Sequence, residues 1–272
     1  MAAIPGYKLE VEQAMEHGLS YAEKREYLGM SQIGHHCTRY LWYSFRWCFT
    51  KELTRREERI FERGNLEEER IIRDLNRIGI RIEDQQYEVS DVLGFFKGHI
   101  DGVALGITGA KKTPHLLEIK TAAQKYFIKL KKEGVKAYSP IYWAQAQMYM
   151  GKLGLTRCLF IATNKDNEER YYERIRFDKR LYDELLMRAM DIIGSDFPPP
   201  KIGDSDWYQC KMCDARQVCH LMEVPVKNCR TCRFAKMENG GIWRCGNDNE
   251  ELGKYKALMG CQDHHLLESL EQ

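Results

Sequence analysis

The sequence lacks any long apolar run, and its first residues, MAAIPGYKLEVEQAMEH, contain no apolar core of the signal-peptide kind. These absences argue against a membrane-spanning helix and a secretory leader, so we expect a cytoplasmic protein. Proline is scarce, at 7 of 272 residues, while hydrophobic residues make up 43% of the chain. This length and composition predict one globular core with a small appendage.

The chain also has almost no net charge, with a formal value of +2. Global charge therefore gives no argument for a nucleic-acid partner, and any basic surface must be local. One such segment is predicted to be a short helix over 121–136, with Lys125 near its start and further lysines behind it. This helix could contact a phosphate backbone, although a solvated lysine-rich face explains it equally well.

Cysteine, in contrast, is abundant, with ten residues in the chain. Seven of them fall in the last quarter: Cys210, Cys213, Cys219, Cys229, Cys232, Cys245 and Cys261. Disulfides are disfavoured in a reducing compartment, so clustered C-x-x-C pairs indicate metal centres. Cys48 and Cys158 lie in apolar contexts and are expected to be small buried hydrophobes.

The most informative stretch is Lys97–Lys120, KGHIDGVALGITGAKKTPHLLEIK. Glu118 and Lys120 flank Ile119 near the end of an apolar run. In a strand they would project from one face while Ile119 points into a core. Asp101 ends a separate short apolar run. If this run and the run before Glu118 pair as a hairpin, with strands over 95–106 and 115–120, Asp101 reaches the same place. We therefore expect two carboxylates and one ammonium to converge at a strand end.

Carboxylate oxygens are the ligands that Mg²⁺ or Mn²⁺ prefers. A lysine beside them can stabilise developing negative charge or help to deprotonate a water molecule. This combination suits metal-assisted hydrolysis of a phosphodiester. The alternative is a solvated edge strand with a surface ion pair, because charged residues fill 30% of the chain and chance matches are frequent.

The rest of the chain predicts an α/β core with a mixed sheet. Helices are expected over 9–29, over a segment that begins after Ser31 as its cap, over 52–78, over 140–151 and over roughly 178–194. Strands are expected over 80–89, 155–163 and 169–177. In the helix 52–78, Gly64 shares a face with Glu68, which could supply a further acid. A glycine inside this helix also predicts the close approach of another backbone.

Four motifs now stand in order: Gly64-x3-Glu68, the segment GHIDG ending at Gly102, Glu118-Ile119-Lys120, and Gln145-x3-Tyr149. Together they resemble the RecB-like branch of the PD-(D/E)XK nuclease superfamily, with Ile100 where the name-giving proline would stand. The resemblance implies a restriction-endonuclease-like core, a mixed central sheet flanked by helices. The phage and prophage exonuclease-like members of this branch are the most similar in appearance.

The resemblance also implies roles for individual residues. Asp101, Glu118 and Lys120 would be catalytic, and Gln145, Tyr149 and Lys125 would bind the DNA substrate. The Mg²⁺ or Mn²⁺ site would comprise Glu68, Asp101, Glu118 and Ile119. Many members carry a histidine in the first-helix motif, where this chain offers Asn65 and Glu68, and Glu67 is a possible substitute.

Cys210-x2-Cys213-x5-Cys219, together with the distant Cys37, resembles the four-cysteine [4Fe–4S] staple of CRISPR-associated and AddB-type nucleases. Four thiolates could equally hold zinc. In the tail, four further cysteines can form a tetrahedral Zn²⁺ site, with His264 as the alternative fourth ligand. The tail ligands are Cys229, Cys232, Cys245 and Cys261.

These features predict four segments: an N-terminal helical segment with Cys37 (1–50), the nuclease core (51–200), the cysteine triad (201–222) and a zinc-binding tail (223–272). The leading hypothesis is a metal-dependent exonuclease acting on ends of single- or double-stranded DNA in recombination, repair or replication. The resemblance also suggests a single-strand annealing protein as a partner. The alternatives are a catalytically silent DNA- or partner-binding scaffold and a redox or transcription-factor protein governed by its cysteines.

Overall fold

The computed structural model describes residues 7–16, 20–21 and 23–271. The longer helices are α1 (Tyr7–Glu16), α2 (Thr38–Phe45), α3 (Arg55–Arg77), α4 (Gln124–Tyr138), α5 (Pro140–Leu153) and α6 (Lys179–Gly194). Short helices follow in the C-terminal part: α7 (Tyr208–Lys211), α8 (Arg216–His220) and α9 (Lys254–Met259). The strands are β1 (Ser20–Tyr21), β2 (Leu28–Gly29), β3 (Glu52–Leu53), β4 (Arg81–Glu83), β5 (Glu88–Asp91), β6 (Phe96–His99), β7 (Gly102–Leu105), β8 (His115–Ala122), β9 (Arg157–Asn164), β10 (Arg170–Arg176), β11 (Ala235–Glu238) and β12 (Ile242–Cys245).

Strand β8 is the centre of a five-stranded sheet with the order β10-β9-β8-β7-β4. It pairs in parallel with β9 and antiparallel with β7, so the sheet is mixed. Helices α3 and α5 contact this strand. The predicted α/β fold with a mixed, helix-flanked sheet is confirmed.

The side chains of β8 alternate between two packed layers. Leu117 and Ile119 belong to one apolar cluster with Ile71 and Leu75 of α3. Leu116 belongs to a larger cluster on the other face, where α5 contributes Met148. A strand covered on both faces reads as a nearly continuous apolar run, which explains the sequence HLLEI. Glu118 is thus carried into a buried layer by its strand.

The predicted strand over 95–106 is wrong as a single element, because it splits at Asp101. Strand β6 pairs with β2 and β5 in a separate three-stranded sheet, whereas β7 pairs with β8. The predicted strand over 80–89 likewise divides into β4 and β5, since Asp84 and Gln86 between them have positive φ angles of 51° and 54°. Asp101 therefore lies where the chain passes from one sheet to the other.

Two predicted helix boundaries near the N-terminus are also wrong. The helix expected over 9–29 ends at Glu16, and the chain then becomes extended in β1 and β2. The helix expected after Ser31 begins instead at Thr38. Its cap is Cys37, whose sulfur accepts a hydrogen bond from the Tyr40 backbone N–H at 3.3 Å.

The predicted long charged helix is present as α3, but the explanation given for the glycine at position 64 is not supported. Its N-terminus has a capping box in which Thr54 and Glu57 satisfy each other's backbone N–H groups. A Cβ built on Gly64 would meet nothing within 4 Å. The predicted close approach of another backbone at Gly64 is therefore wrong.

The C-terminal residues pack into the same core as the N-terminal ones. One apolar cluster contains Leu28, Trp47, Tyr149, Trp243 and Leu270. The segments predicted from sequence as 1–50, 51–200 and 223–272 thus contribute to one continuous interior. Among the described helices, none combines the length and the apolar character needed to cross a bilayer.

Candidate active centre

Asp101 is fixed against the middle of β8 by a backbone contact. Its Oδ2 atom accepts a hydrogen bond of 2.6 Å from the backbone N–H of Ile119. Burial raises the pKa of this carboxyl, while the charge of Lys120 and the Ile119 N–H act in the opposite direction. Asp101 and the Glu118–Lys120 segment meet as the sequence predicted, but in the interior of β8 and at the start of β7 rather than at the end of β8.

Glu118 is a completely buried carboxylate, with 0% of its surface exposed. Lys120 forms an ion pair with its Oε1 atom. Apart from that ion pair, neither carboxylate oxygen has a hydrogen-bond partner among the described residues. Burial therefore raises the pKa of Glu118 to about 7, against the attraction of Lys120. An unsatisfied buried carboxylate is costly, and such groups are typical of functional sites.

Lys120 is the cation of this centre. Burial alone would lower its pKa, but the negative charges of Glu118 and Asp101 outweigh burial and raise it. Its Nζ atom also lies 5.4 Å from the ring centroid of Tyr142 on α5, in a cation–π arrangement. The side chain therefore remains an ammonium at neutral pH and is held between acids and an aromatic face.

The two adjacent acids of α3 have different surroundings. Glu68 accepts a hydrogen bond of 2.6 Å from Gln86, and burial followed by the charge of Asp101 raises its pKa. Glu67 is buried elsewhere and accepts a hydrogen bond of 2.8 Å from Thr163. Glu68 thus belongs electrostatically to the centre, whereas Glu67 is committed to a structural contact.

The Gln145-x3-Tyr149 motif lies beneath the centre rather than on open surface. Gln145 is 6% exposed and Tyr149 is 2% exposed. A Cβ built on Gly98 would lie 2.5 Å from the Tyr149 hydroxyl, so only glycine fits there. Burial raises the pKa of Tyr149, and the charge of Glu118 adds to this rise. Tyr149 therefore packs against β6 and lies within the electrostatic influence of Glu118 and Asp101.

Lys125 lies at the start of α4, three residues beyond the end of β8, and is exposed. Its Nζ atom is 6.0 Å from the ring centroid of Tyr126. Two other lysines of α4, Lys129 and Lys131, are engaged in ion pairs with Glu133 and Glu169. Lys125 is therefore available to an external anion beside the centre.

The carboxylates fit a hard divalent cation by chemistry and by charge. The unsatisfied oxygens of Glu118 and the nearby Asp101 and Glu68 form an oxygen-rich, anionic set. Within the described residues, no three His, Cys, Asp or Glu side chains stand ready in metal-binding geometry. Ile119 can contribute only through its backbone, because its side chain packs in the apolar layer with Ile71.

The eight cysteines expected to bind metal form two groups around two cavities. One cavity is lined by Cys37, Cys210, Cys213 and Cys219. The other is lined by Cys229, Cys232, Cys245, Cys261 and His264. Burial and the charges of the three neighbouring thiols raise the pKa of Cys229 to about 11, a repulsion that a bound cation would relieve. Cys48 and Cys158 are fully buried, as expected.

The sequence did not identify two residues that touch the centre. Gln86 holds Glu68 from a loop, and Tyr142 provides the ring beside Lys120. Tyr142 could have been found, because it lies one helical turn before Gln145. Gln86 carried no signal, since its contact depends on how the turn between β4 and β5 folds.

Comparison with known proteins gives no match to a family model and no match to a curated sequence. Among solved structures, an alkaline exonuclease from Laribacter hongkongensis is 17% identical with a TM-score of 0.46, covering 63% of this chain and 88% of that one. SSO0001 is 16% identical with a TM-score of 0.41, covering 78% and 93%. A phage-related exonuclease from Haemophilus somnus 129PT is 17% identical with a TM-score of 0.34, covering 48% and 68%.

Proposed function

We propose that this protein is a metal-dependent deoxyribonuclease of the PD-(D/E)XK type that acts as an exonuclease on DNA ends. The observation that carries the proposal is Glu118, a fully buried carboxylate whose only polar partner among the described residues is Lys120. Asp101 lies beside it, fixed by its hydrogen bond from Ile119 of the same strand. A fold retains such an unsatisfied charge at a cost, which a catalytic use would explain.

Asp101, Glu118 and Glu68 would hold Mg²⁺ or Mn²⁺, which when bound supplies Lewis acidity to the scissile phosphate. Lys120 places a positive charge where the phosphodiester gains negative charge. Tyr149 and the layer of α5 behind it keep this part of β8 dry, which strengthens the electrostatic effect. Lys125 at the start of α4 would hold the DNA backbone beside the centre.

The test is digestion of linear DNA labelled at one end, then at the other, with Mg²⁺ or Mn²⁺ added. Wild-type protein should release label from an end, and Asp101→Asn and Lys120→Ala should not. Lys179→Ala, which removes an exposed lysine paired with Asp183 on α6, should cut like wild type. Cutting by Asp101→Asn at the wild-type rate would refute the catalytic assignment, and no cutting by any protein would favour a silent DNA-binding scaffold.

The two cysteine groups carry separate proposals. We infer a [4Fe–4S] cluster held by Cys37 and the triad, and a Zn²⁺ site in the tail. The support is that each predicted set lines one cavity of its own. Metal analysis of anaerobically purified protein should give about four iron atoms and one zinc per chain. Zinc at both sites, with no visible iron–sulfur absorbance, would refute the cluster.

The proposed setting is recombination, repair or replication of phage-type DNA, with a single-strand annealing protein as partner. This setting rests on the resemblance of the motifs. Co-purification of the tagged chain with such a protein, and stimulation of end digestion by it, is the measurement that tests it.

A further inference from the structure

A groove of about 400 Å³ lies outside the catalytic centre, between the segment after β1 and helix α3. Its described lining combines cations with aromatic rings: Lys24, Arg25, Lys51, Tyr27, Phe49 and Phe61. The rings and charges are interleaved, since the Lys24 ammonium lies 5.7 Å from the Phe49 ring centroid. None of these residues has a role in the centre described above.

The groove carries positive charge that favours the binding of an anion. Lys24 is half-buried and donates to the backbone carbonyl of Phe49, and burial lowers its pKa. Arg25 is exposed, and no carboxylate pairs with it among the described residues. Glu23, the acid in the described lining, pairs instead with Lys254. An anion entering the groove would therefore stabilise two cations that lack a carboxylate partner.

The aromatic part of the groove is open. Phe61 is 57% exposed, an unusual exposure for a phenylalanine on a folded surface. Phe49 and Tyr40, with ring centroids 5.7 Å apart, line the same groove. Flat, exposed rings beside cations are the combination on which unpaired bases stack while the phosphates contact the charges.

One face of α3 links the groove to the catalytic centre. Phe61, Asn65 and Glu68 are spaced at i, i+4 and i+7 and share this face. Phe61 lines the groove, and the charge of Asp101 raises the pKa of Glu68 at the other end of the face. A strand leaving the centre would reach the groove along this face.

We propose that this groove binds a single strand of the DNA substrate, with Arg25 contacting phosphate and Phe61 stacking on a base. A base can stack on Phe61 only when it is unpaired, because a duplex keeps its base faces inside its own stack. The proposal rests on the proposed function for the choice of DNA, and it assigns to the groove a role in holding an unpaired strand near the cutting site.

The test is fluorescence anisotropy with labelled oligothymidylate of about 16 nucleotides, in EDTA so that no cleavage occurs. Arg25→Gln and Phe61→Ala should each weaken binding by about tenfold. Arg25→Gln should also reduce the slope of log affinity against log salt by about 0.7, whereas Phe61→Ala should leave the slope unchanged. Arg25→Lys keeps the positive charge and should leave the slope of log affinity against log salt unchanged. Arg233→Gln removes an exposed cation of the tail and should bind like wild type.

Wild-type affinity in both Arg25→Gln and Phe61→Ala would overturn the proposal, and an equal loss on blunt duplex would overturn the assignment to a single strand. Both side chains are exposed, so both variants should melt at the wild-type temperature. The assay contains no divalent cation and measures no cutting. A wild-type chain that binds through the groove but never digests DNA would refute the proposed function and leave the groove standing.

Discussion

Strand β8 and the junction between the tail and the core each bury a charged side chain, and the surroundings of the two charges differ. Arg230 in the tail is 2% exposed, donates to the backbone carbonyls of Phe45 at 3.1 Å and Glu26 at 2.8 Å, and lies 3.8 Å from the Trp47 ring centroid. Its Nε atom has no partner among the described residues. Glu118 is 0% exposed and has Lys120 as its polar partner. Hydrogen bonds to backbone carbonyls indicate a structural role, whereas a buried carboxylate whose partner is another ionisable side chain indicates chemistry.

The largest effect is expected from removing Arg230, the charge that donates to backbone carbonyls. Arg230→Met should lower the free energy of unfolding by about 3 kcal/mol, because the carbonyls it serves lose their donor and three rings lose a cation. Urea denaturation measures the loss. Arg233→Met, which removes an exposed neighbour, is the matched control and should change stability little. Equal effects in the two variants would remove the distinction between the sites.

Removing the charge of Glu118 is expected to raise the free energy of unfolding at high pH, whereas removing Arg230 lowers it. Its pKa is raised in the folded protein from 4.5 to about 7, so the folded state keeps its proton to higher pH than the unfolded chain does. Its contribution to stability therefore falls as the pH rises from 4.5 to 7, by about 3 kcal/mol at most. Glu118→Gln should melt higher than wild type at pH 8 without metal and should not be stabilised by Mg²⁺. A lower melting temperature at pH 8 would contradict this.

A third test compares two glycines. Gly98→Ala should cost about 1–3 kcal/mol, because the new methyl group meets the Tyr149 hydroxyl at 2.5 Å. Gly64→Ala on α3 meets nothing within 4 Å and should stabilise the protein by about 1 kcal/mol. Thermal unfolding of both variants measures the expected loss of stability at Gly98 and the expected gain at Gly64. If Gly98→Ala were as stable as wild type, the close packing of Tyr149 under β6 would be wrong.

The smallest effect is expected on the surface beside the centre. Lys125→Gln should weaken duplex DNA binding a few-fold and reduce the salt slope by about 0.9, as expected for one lost phosphate contact. Lys179→Gln on α6 is the control for an exposed lysine. Anisotropy titrations at several salt concentrations measure both quantities, and an unchanged slope would exclude Lys125 from the interface.

The sequence predicted the part of the centre that depends on strand alternation. Glu118 and Lys120 share a face because they are two residues apart, and Asp101 was placed beside them by the pairing of its run with theirs. It did not predict Gln86 or Arg25, whose positions depend on a turn and on a crossing between sheets. The split of the 95–106 strand was missed for the same reason, since both halves read as extended and only their partners differ.

The sharing of one interior by Leu28, Trp47, Trp243 and Leu270 has a consequence for biosynthesis. A ribosome releases the N-terminal aromatic segment long before the residues that cover it. Until Arg230 and Trp243 emerge, Phe45 and Trp47 lack the tail side chains that pack on them. The nascent chain therefore carries an uncovered aromatic surface through most of its translation, and it becomes a target for chaperones during that interval.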